Sequence, residues 1–260
     1  MIRRHLTFPC EGSTLVGTLD EANGATGLLL VSGGNELRSG AWSGQAQLAA
    51  RIAARGFPVF RYDRRGVGDS DGPNGEFRSA GPDIAAALTA FREAAPQVAR
   101  IVAMGNCDAA SSLMLAGGAG CDALTLSNPW TIEESADEPS PEVLRDHYKR
   151  RLASPEALKR LLTGQIPIGK LLRSLLAALR PAPAPTSLAQ DMAAGIAGFA
   201  GPIAILIAER DRTGIAFLGA WDKADPRIRR CAGASHSYVE PEAREWLEAQ
   251  VLEMLSSSRG

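Results

Sequence analysis

With 260 residues, the chain has room for one large domain or two small ones and for a substantial buried core. Hydrophobic residues make up 45% and charged residues 22%, ordinary globular values that set aside a disordered, collagen-like or coiled-coil chain. The formal charge of −1 gives no whole-chain reason to expect nucleic acid or an acidic tail.

Leu6 to Phe8 and Thr14 to Thr18 predict an opening hairpin around Glu11-Gly12. Leu28 to Ser32 and Pro58 to Tyr62 read as buried strands, with the helical spacing of Gln45 to Arg55 between them. Pro82 to Ala94 is a second amphipathic helix. Ile101 to Met104 is a strand running into a helix over Ala109 to Gly117, and Ala123 to Ser127 is the strand that follows. Ile203 to Ala208 is another buried strand, Arg227 to Cys231 a more polar one nearer an edge, and Glu242 to Leu255 the closing helix. Strands alternating with helices predict a mostly parallel sheet covered on both faces, an α/β architecture. From Pro129 to Gly201 the rhythm stops, and a stretch rich in Leu, Arg and Pro predicts a helical insertion whose prolines at 181, 183 and 185 form an extended return. The expected division is a core of residues 1–128 and 201–260 with a helical cap of residues 129–200.

No apolar run approaches the ~18 residues of a membrane span, and the first ten residues lack the apolar middle of a secretory signal, so a soluble, cytoplasmic protein is expected. Cys10, Cys107, Cys121 and Cys231 contain no Cys-x-x-Cys pair, which argues against a zinc ribbon or a dense disulfide framework and leaves any special role to a single thiol. Neither a metal nor a cofactor is expected.

The most informative stretch is Gly105-Asn106-Cys107-Asp108-Ala109 between strand and helix. A nucleophile elbow carries its reactive residue on such a strained turn, with small residues two before and two after so that strand and helix can cross. Gly105 and Ala109 meet that need, although Cys replaces Ser and Ala replaces the second Gly. The helix N-terminus favours a thiolate, and the N–H of Asp108 faces the place where a carbonyl oxygen would become an oxyanion. Cys10, Cys121 and Cys231 read as small buried apolar residues.

Of the three histidines, His5 lies in the opening strand and His147 in the insertion, whereas His236 falls on the loop before the last helix, where an imidazole can swing over the strand tips. The acid that orients it should follow the penultimate strand. Asp211 is three residues beyond that strand, with Glu209 and Asp222 as competitors. Ser32-Gly33-Gly34-Asn35 can supply the second oxyanion donor from the backbone N–H of Asn35. Gly34, Arg38 and Trp130 are candidate substrate-binding residues. In Asp63-Arg64-Arg65-Gly66-Val67-Gly68-Asp69-Ser70 the glycines lack the third spacing of a dinucleotide loop and no helix opens there, so a structural turn is the better reading.

Taken together, the Gly-Gly loop, the Asp63-x-Arg-Gly-x-Gly-Asp-Ser70 run, the elbow, the late Asp and the His before the last helix resemble the α/β-hydrolase superfamily across nearly the whole chain. More narrowly, Gly105 to Ser111, Leu126 to Trp130, Arg145 to Tyr148 and Leu171 to Leu175 are similar to the exosortase-A-associated hydrolases of type 1, bacterial proteins encoded with exopolysaccharide and protein-sorting systems. That resemblance implies an α/β-hydrolase fold and a Cys-His-Asp triad mapping onto Cys107, His236 and Asp211. One departure is Asn35-Glu36-Leu37-Arg38, where Pro-Gln, an aromatic residue and Arg are expected, which affects pocket shape near Leu37 but not the backbone donor.

The chemistry so implied is cleavage or transfer of an acyl group from an ester or thioester, on a small molecule or a carrier. The other class of reading is a non-catalytic scaffold binding a ligand or partner, with DNA binding a weaker third. From 141 to 180 there are nine basic and three acidic residues, a net +6, which leaves −7 on the remainder. A solvated helix face accounts for such spacing, while the functional reading is recruitment of an anionic substrate, carrier or lipid surface.

Overall fold

The computed structural model describes residues 2–132 and 187–257. Among them eight strands form one sheet: β1 (Arg3–Cys10), β2 (Ser13–Asp20), β3 (Thr26–Val31), β4 (Val59–Tyr62), β5 (Arg100–Asn106), β6 (Ala123–Ser127), β7 (Ile203–Ala208) and β8 (Ile228–Cys231). The order is β1-β2-β4-β3-β5-β6-β7-β8. The opening hairpin is antiparallel and pairs antiparallel with β4, and every later pairing is parallel. Helices α1 (Gly44–Ala54), α2 (Gly81–Ala94), α3 (Asp108–Leu115), α4 (Ser187–Ile196), α5 (Arg212–Ala220) and α6 (Pro241–Ser256) accompany the sheet.

Successive strand side chains point to opposite faces, so a strand covered on both sides must be apolar throughout. In β3, Leu28 and Leu30 pack with Leu48 and Ile52 of α1 and Val251 of α6, while Leu29 and Val31 join Ile84 of α2 and Leu113 of α3. In β5, Val102 and Met104 take the first face and Ile101 and Ala103 the second. The sheet therefore lies between two apolar layers. No helix among the described residues is long and apolar enough to cross a membrane.

The expected strands and the first, second, third and last helices are present, with β1 and β2 longer than their apolar letters suggested. Two helices depart from the expectation. α5 is only nine residues long and contains Gly214 and Gly219, which lower its helix propensity. α4 falls inside the stretch expected to be an insertion, yet Leu188, Met192 and Ile196 lie in the same buried cluster as Leu113 and Met114. A Cβ on Gly195 would sit 2.2 Å from the Met114 carbonyl oxygen, so glycine permits this close approach of α4 to α3. From residue 187, within the 129–200 stretch expected as a cap, the chain thus packs on the core. The rest of the expected cap, including the basic 141–180 segment, His147 and the Arg145–Tyr148 and Leu171–Leu175 stretches, lies outside the described residues.

β3 lies between β4 and β5 in the sheet, and α1, which connects β3 to β4, packs on one face while α2, which connects β4 to β5, packs on the other. A crevice opens beyond the carboxyl ends of strands at such a reversal. The loop after β3 and the turn after β5 meet there.

Candidate active site

Cys107 sits between the last residue of β5 and the first of α3 with φ 62° and ψ −129°, a region that L-residues rarely occupy. The turn is held by hydrogen bonds: Cys107 N–H donates to Ser127 O at 3.0 Å, and Cys107 O accepts from Ala110 N at 3.1 Å and Trp130 N at 3.3 Å. A Cβ on Gly105 would lie 2.6 Å from the Ala109 carbonyl carbon and 2.7 Å from Ala110 N. The small residue demanded by the elbow is thus required by backbone contact. Asp108 is the first residue of α3, so its N–H has no partner within the helix.

The four thiols are all free, but they differ in surroundings. Burial pushes Cys121 up to about 12 and, helped by the neighbouring carboxylate of Asp83, Cys10 up to about 11. Burial raises Cys231 as well. These three are buried away from the cleft, whereas Cys107 is only half-buried and opens onto it.

His236 reaches the same cleft from the loop between β8 and α6. Its Nδ1 lies 2.8 Å from Asp211 Oδ2, and it lines the cleft together with Cys107. The Asp211 hydrogen bond first, and then the neighbouring Cys107, raise His236 from 6.5 to about 10 against the opposing effect of burial. Asp211 is the N-cap of α5: Oδ1 accepts from Thr213 N at 3.1 Å and Oδ2 from Gly214 N at 3.2 Å. A cap with Asp at its head is a sequence signal for this helix. The competitors differ in place, since Asp222 caps its own turn by accepting from Ala224 N and Glu209 N–H is tied to Cys231 O. His5 is exposed on β1, with Nδ1 3.0 Å from Thr18 Oγ1.

The Gly-Gly loop crosses directly over the elbow. A Cβ on Gly33 would sit 2.3 Å from Asp108 Oδ1, and Gly34 has φ +55°. Gly34 N–H points at the Asp108 carboxylate, 2.6 Å from Oδ1 and 2.8 Å from Oδ2. Asn35, Gly34 and Trp130 line the cleft with Cys107 and His236. Asn35 also accepts through its side chain from Asn74 Nδ2 at 2.7 Å.

Arg38 does not join them. Its Nη1 pairs with Asp63 and, at 3.0 Å, with Asp69, while its Nε donates to Thr18 Oγ1 at 3.0 Å. Asp63 is fully buried and needs a cation, which Arg38 supplies, and Arg38 is not among the residues that line the cleft with Cys107. The turn after β4 is structural, as expected: Asp63 also accepts from Arg38 N and Asp69 N, and Ser70 Oγ donates to Asp63 O.

Three site residues escape sequence reasoning. Arg64 lines the cleft and donates to Gly34 O, but in an Asp-Arg-Arg run nothing separates it from Arg65. Asn106 Nδ2 lies 3.2 Å from His236 O and 3.4 Å from its Nε2. Asn128, with φ +42°, gives Nδ2 to Asn106 Oδ1 at 3.1 Å and accepts from Ala208 N at 2.8 Å. An Asn ahead of Pro129 after a strand is the one available hint, since Asn tolerates left-handed backbone.

The described residues contain no cluster of His, Cys, Asp and Glu able to hold a metal ion. No curated protein matches the sequence. Among solved structures, the chain is similar to the esterase Pf2001 of Pyrococcus furiosus, at 14% identity and a TM-score of 0.64, covering 100% of this chain and 92% of that one. It is similar to DcsB, in a complex with its substrate analogue, at 14% identity and a TM-score of 0.65, covering 98% and 99%. It is also similar to the alpha/beta hydrolase GrgF of Penicillium sp. sh18, at 18% identity and a TM-score of 0.62, covering 98% of each chain. At these identities the likeness is one of fold. The model of the alpha/beta hydrolase family matches residues 28–250, from the strand before the Gly-Gly loop to the last helix, and the chain belongs to that family.

Proposed function

We propose that the chain is a hydrolase or acyltransferase that works through an acyl-cysteine intermediate, with Cys107 as nucleophile, His236 as base and Asp211 as its orienting acid. The observation that carries this reading is the convergence at the strand tips: Asp211 2.8 Å from His236 Nδ1, and His236 lining one cleft with Cys107 on the strained elbow. With Nδ1–H given to Asp211, Nε2 takes the thiol proton of Cys107, and the imidazolium of the resulting ion pair is the form that Asp211 stabilises. Sulfur then bonds the substrate carbonyl carbon, and the carbonyl π electrons move onto oxygen. The N–H groups of Asp108 and Asn35 take the oxyanion, each such donor being worth about 2.7–4 kcal/mol of barrier. Collapse expels the alcohol or thiol, which takes its proton from His236, and water or another acceptor releases the acyl group by the same steps in reverse order.

A thiol nucleophile suits activated acyl groups better than amides, so thioesters and activated esters, free or on a carrier, are the substrate class. The resemblance of Gly105 to Ser111 and Leu126 to Trp130 to the exosortase-A-associated hydrolases supports a bacterial exopolysaccharide or protein-sorting setting. The basic 141–180 segment supports an anionic substrate or carrier, and no nucleic-acid role is proposed.

The test is intact-mass measurement after incubation with a panel of acyl thioesters and aryl esters. An acyl increment on the wild type that is absent from Cys107→Ala is the expected result. A wild type that takes no acyl group from any member, and whose Cys107 alkylates no faster than in His236→Ala, leaves a binding scaffold instead.

A further inference from the structure

Arg64 is 5% exposed, yet it borders the cleft that holds Cys107. Its Nη2 donates to the carbonyl of Gly34. That carbonyl belongs to the same peptide group as the N–H of Asn35, the amide assigned above to the oxyanion. None of the peptide bonds among the described residues is cis, so the two groups point in opposite directions across one rigid plane. Fixing the carbonyl therefore fixes where the N–H points. The preceding peptide is held from the other side, because Gly34 N–H is taken by the Asp108 carboxylate. Gly34 thus carries an acid on its amide and a base on its carbonyl, and the next amide, that of Asn35, has no hydrogen-bond partner among the described residues.

We infer that Arg64 is the positioning residue of the oxyanion site: by clamping Gly34 O it aims and polarises the Gly34–Asn35 peptide so that Asn35 N–H meets the developing oxyanion. A charged donor on a carbonyl strengthens the N–H at the other end of the same peptide, as in any chain of polarised hydrogen bonds. Arg64 can do this because its own segment is locked. Asp63 N–H donates to Val16 O at 3.0 Å, Val67 N–H donates to Arg64 O at 3.1 Å, and Asp63 is fixed by Arg38 and Asp69. Ordering by a rigid second layer is what keeps a backbone donor from drifting.

This role rests on the acyl chemistry proposed above, and its test separates the two. Two reactions at Cys107 are compared: acylation by an aryl thioester, which passes through an oxyanion, and alkylation by iodoacetamide, which attacks a saturated carbon and forms none. In Arg64→Ala, acylation is expected to fall about 10- to 100-fold, while alkylation stays within about twofold of wild type. Added guanidinium ion is expected to restore part of the acylation rate and leave alkylation unmoved. If both reactions slow together, Arg64 only supports the fold and the role is overturned; unchanged acylation overturns it equally. Arg64→Lys, which keeps the charge and most of the volume, carries the same comparison should the Ala variant not fold. Failure of the wild type to acylate at all, with normal alkylation, removes the parent reading and this role with it.

Discussion

Gly105→Ala adds one methyl group where the structure leaves no room. The new Cβ would lie 2.6 Å from the Ala109 carbonyl carbon, 2.7 Å from Ala110 N and 2.8 Å from Ala109 O. All three are backbone atoms of α3 and cannot rotate aside. The nearest of them is roughly 0.8 Å short of ordinary contact, so β5 and the start of α3 must separate by about that much. Overpacking of this kind costs about 1–3 kcal/mol, which for a chain of this size lowers the unfolding temperature by about 2–4 °C per kcal/mol. The displaced residues are Cys107 and the first amides of α3, and a shift of ~1 Å there is worth on the order of 100-fold in rate. Calorimetry together with single-turnover acylation by an aryl thioester, read by intact mass, measures both effects. A Gly105→Ala protein that unfolds within about 1 °C of wild type and acylates at the wild-type rate would refute the steric account of the elbow.

Arg38→Ala leaves the fully buried Asp63 without its guanidinium and is expected to cost about 3–5 kcal/mol by denaturant titration; a raised KM with unchanged stability would instead mark Arg38 as a substrate ligand. Cys107→Gly relaxes a backbone held at φ 62°, ψ −129°, a strain of about 1–3 kcal/mol, and so is expected to unfold no lower than wild type while losing all acylation. A clear drop in its unfolding temperature would show that the elbow is not strained. For His236, held up to about 10, the imidazolium needed by a basic leaving group is lost as pH rises through that value, so cleavage of alkyl esters should fall there and aryl esters should not. In Asp211→Asn that break is expected at lower pH. The same raised value adds stability that is fully present below about 6.5 and lost as pH rises through about 10, a contribution reduced by solvent screening because the ring is 38% exposed. An alkaline limb that does not move in Asp211→Asn would separate His236 from the chemistry.

What the chain states on its own is local. Apolar runs of strand length, such as Leu28 to Val31 and Ile203 to Ala208, and the helical spacing of Pro82 to Ala94 fix the elements, because each pattern is set by its own few residues. The elbow is legible for the same reason, since Gly105, Cys107 and Ala109 are two residues apart and their clash is between a strand and the helix it feeds. His236 and Asp211 could be chosen from chain order and from their places beyond strand ends. Tertiary structure decided what depends on partners far apart in sequence. Asp63 claims Arg38 across 25 residues, the Asp108 carboxylate takes Gly34 N–H across 74, and Asn106 reaches His236 across 130. α4 joins the core only because Gly195 lets it lie on α3. None of these pairings has a period or a motif, because a side chain's partner is set by which strand tips the sheet order brings together, and that order is a property of the folded whole.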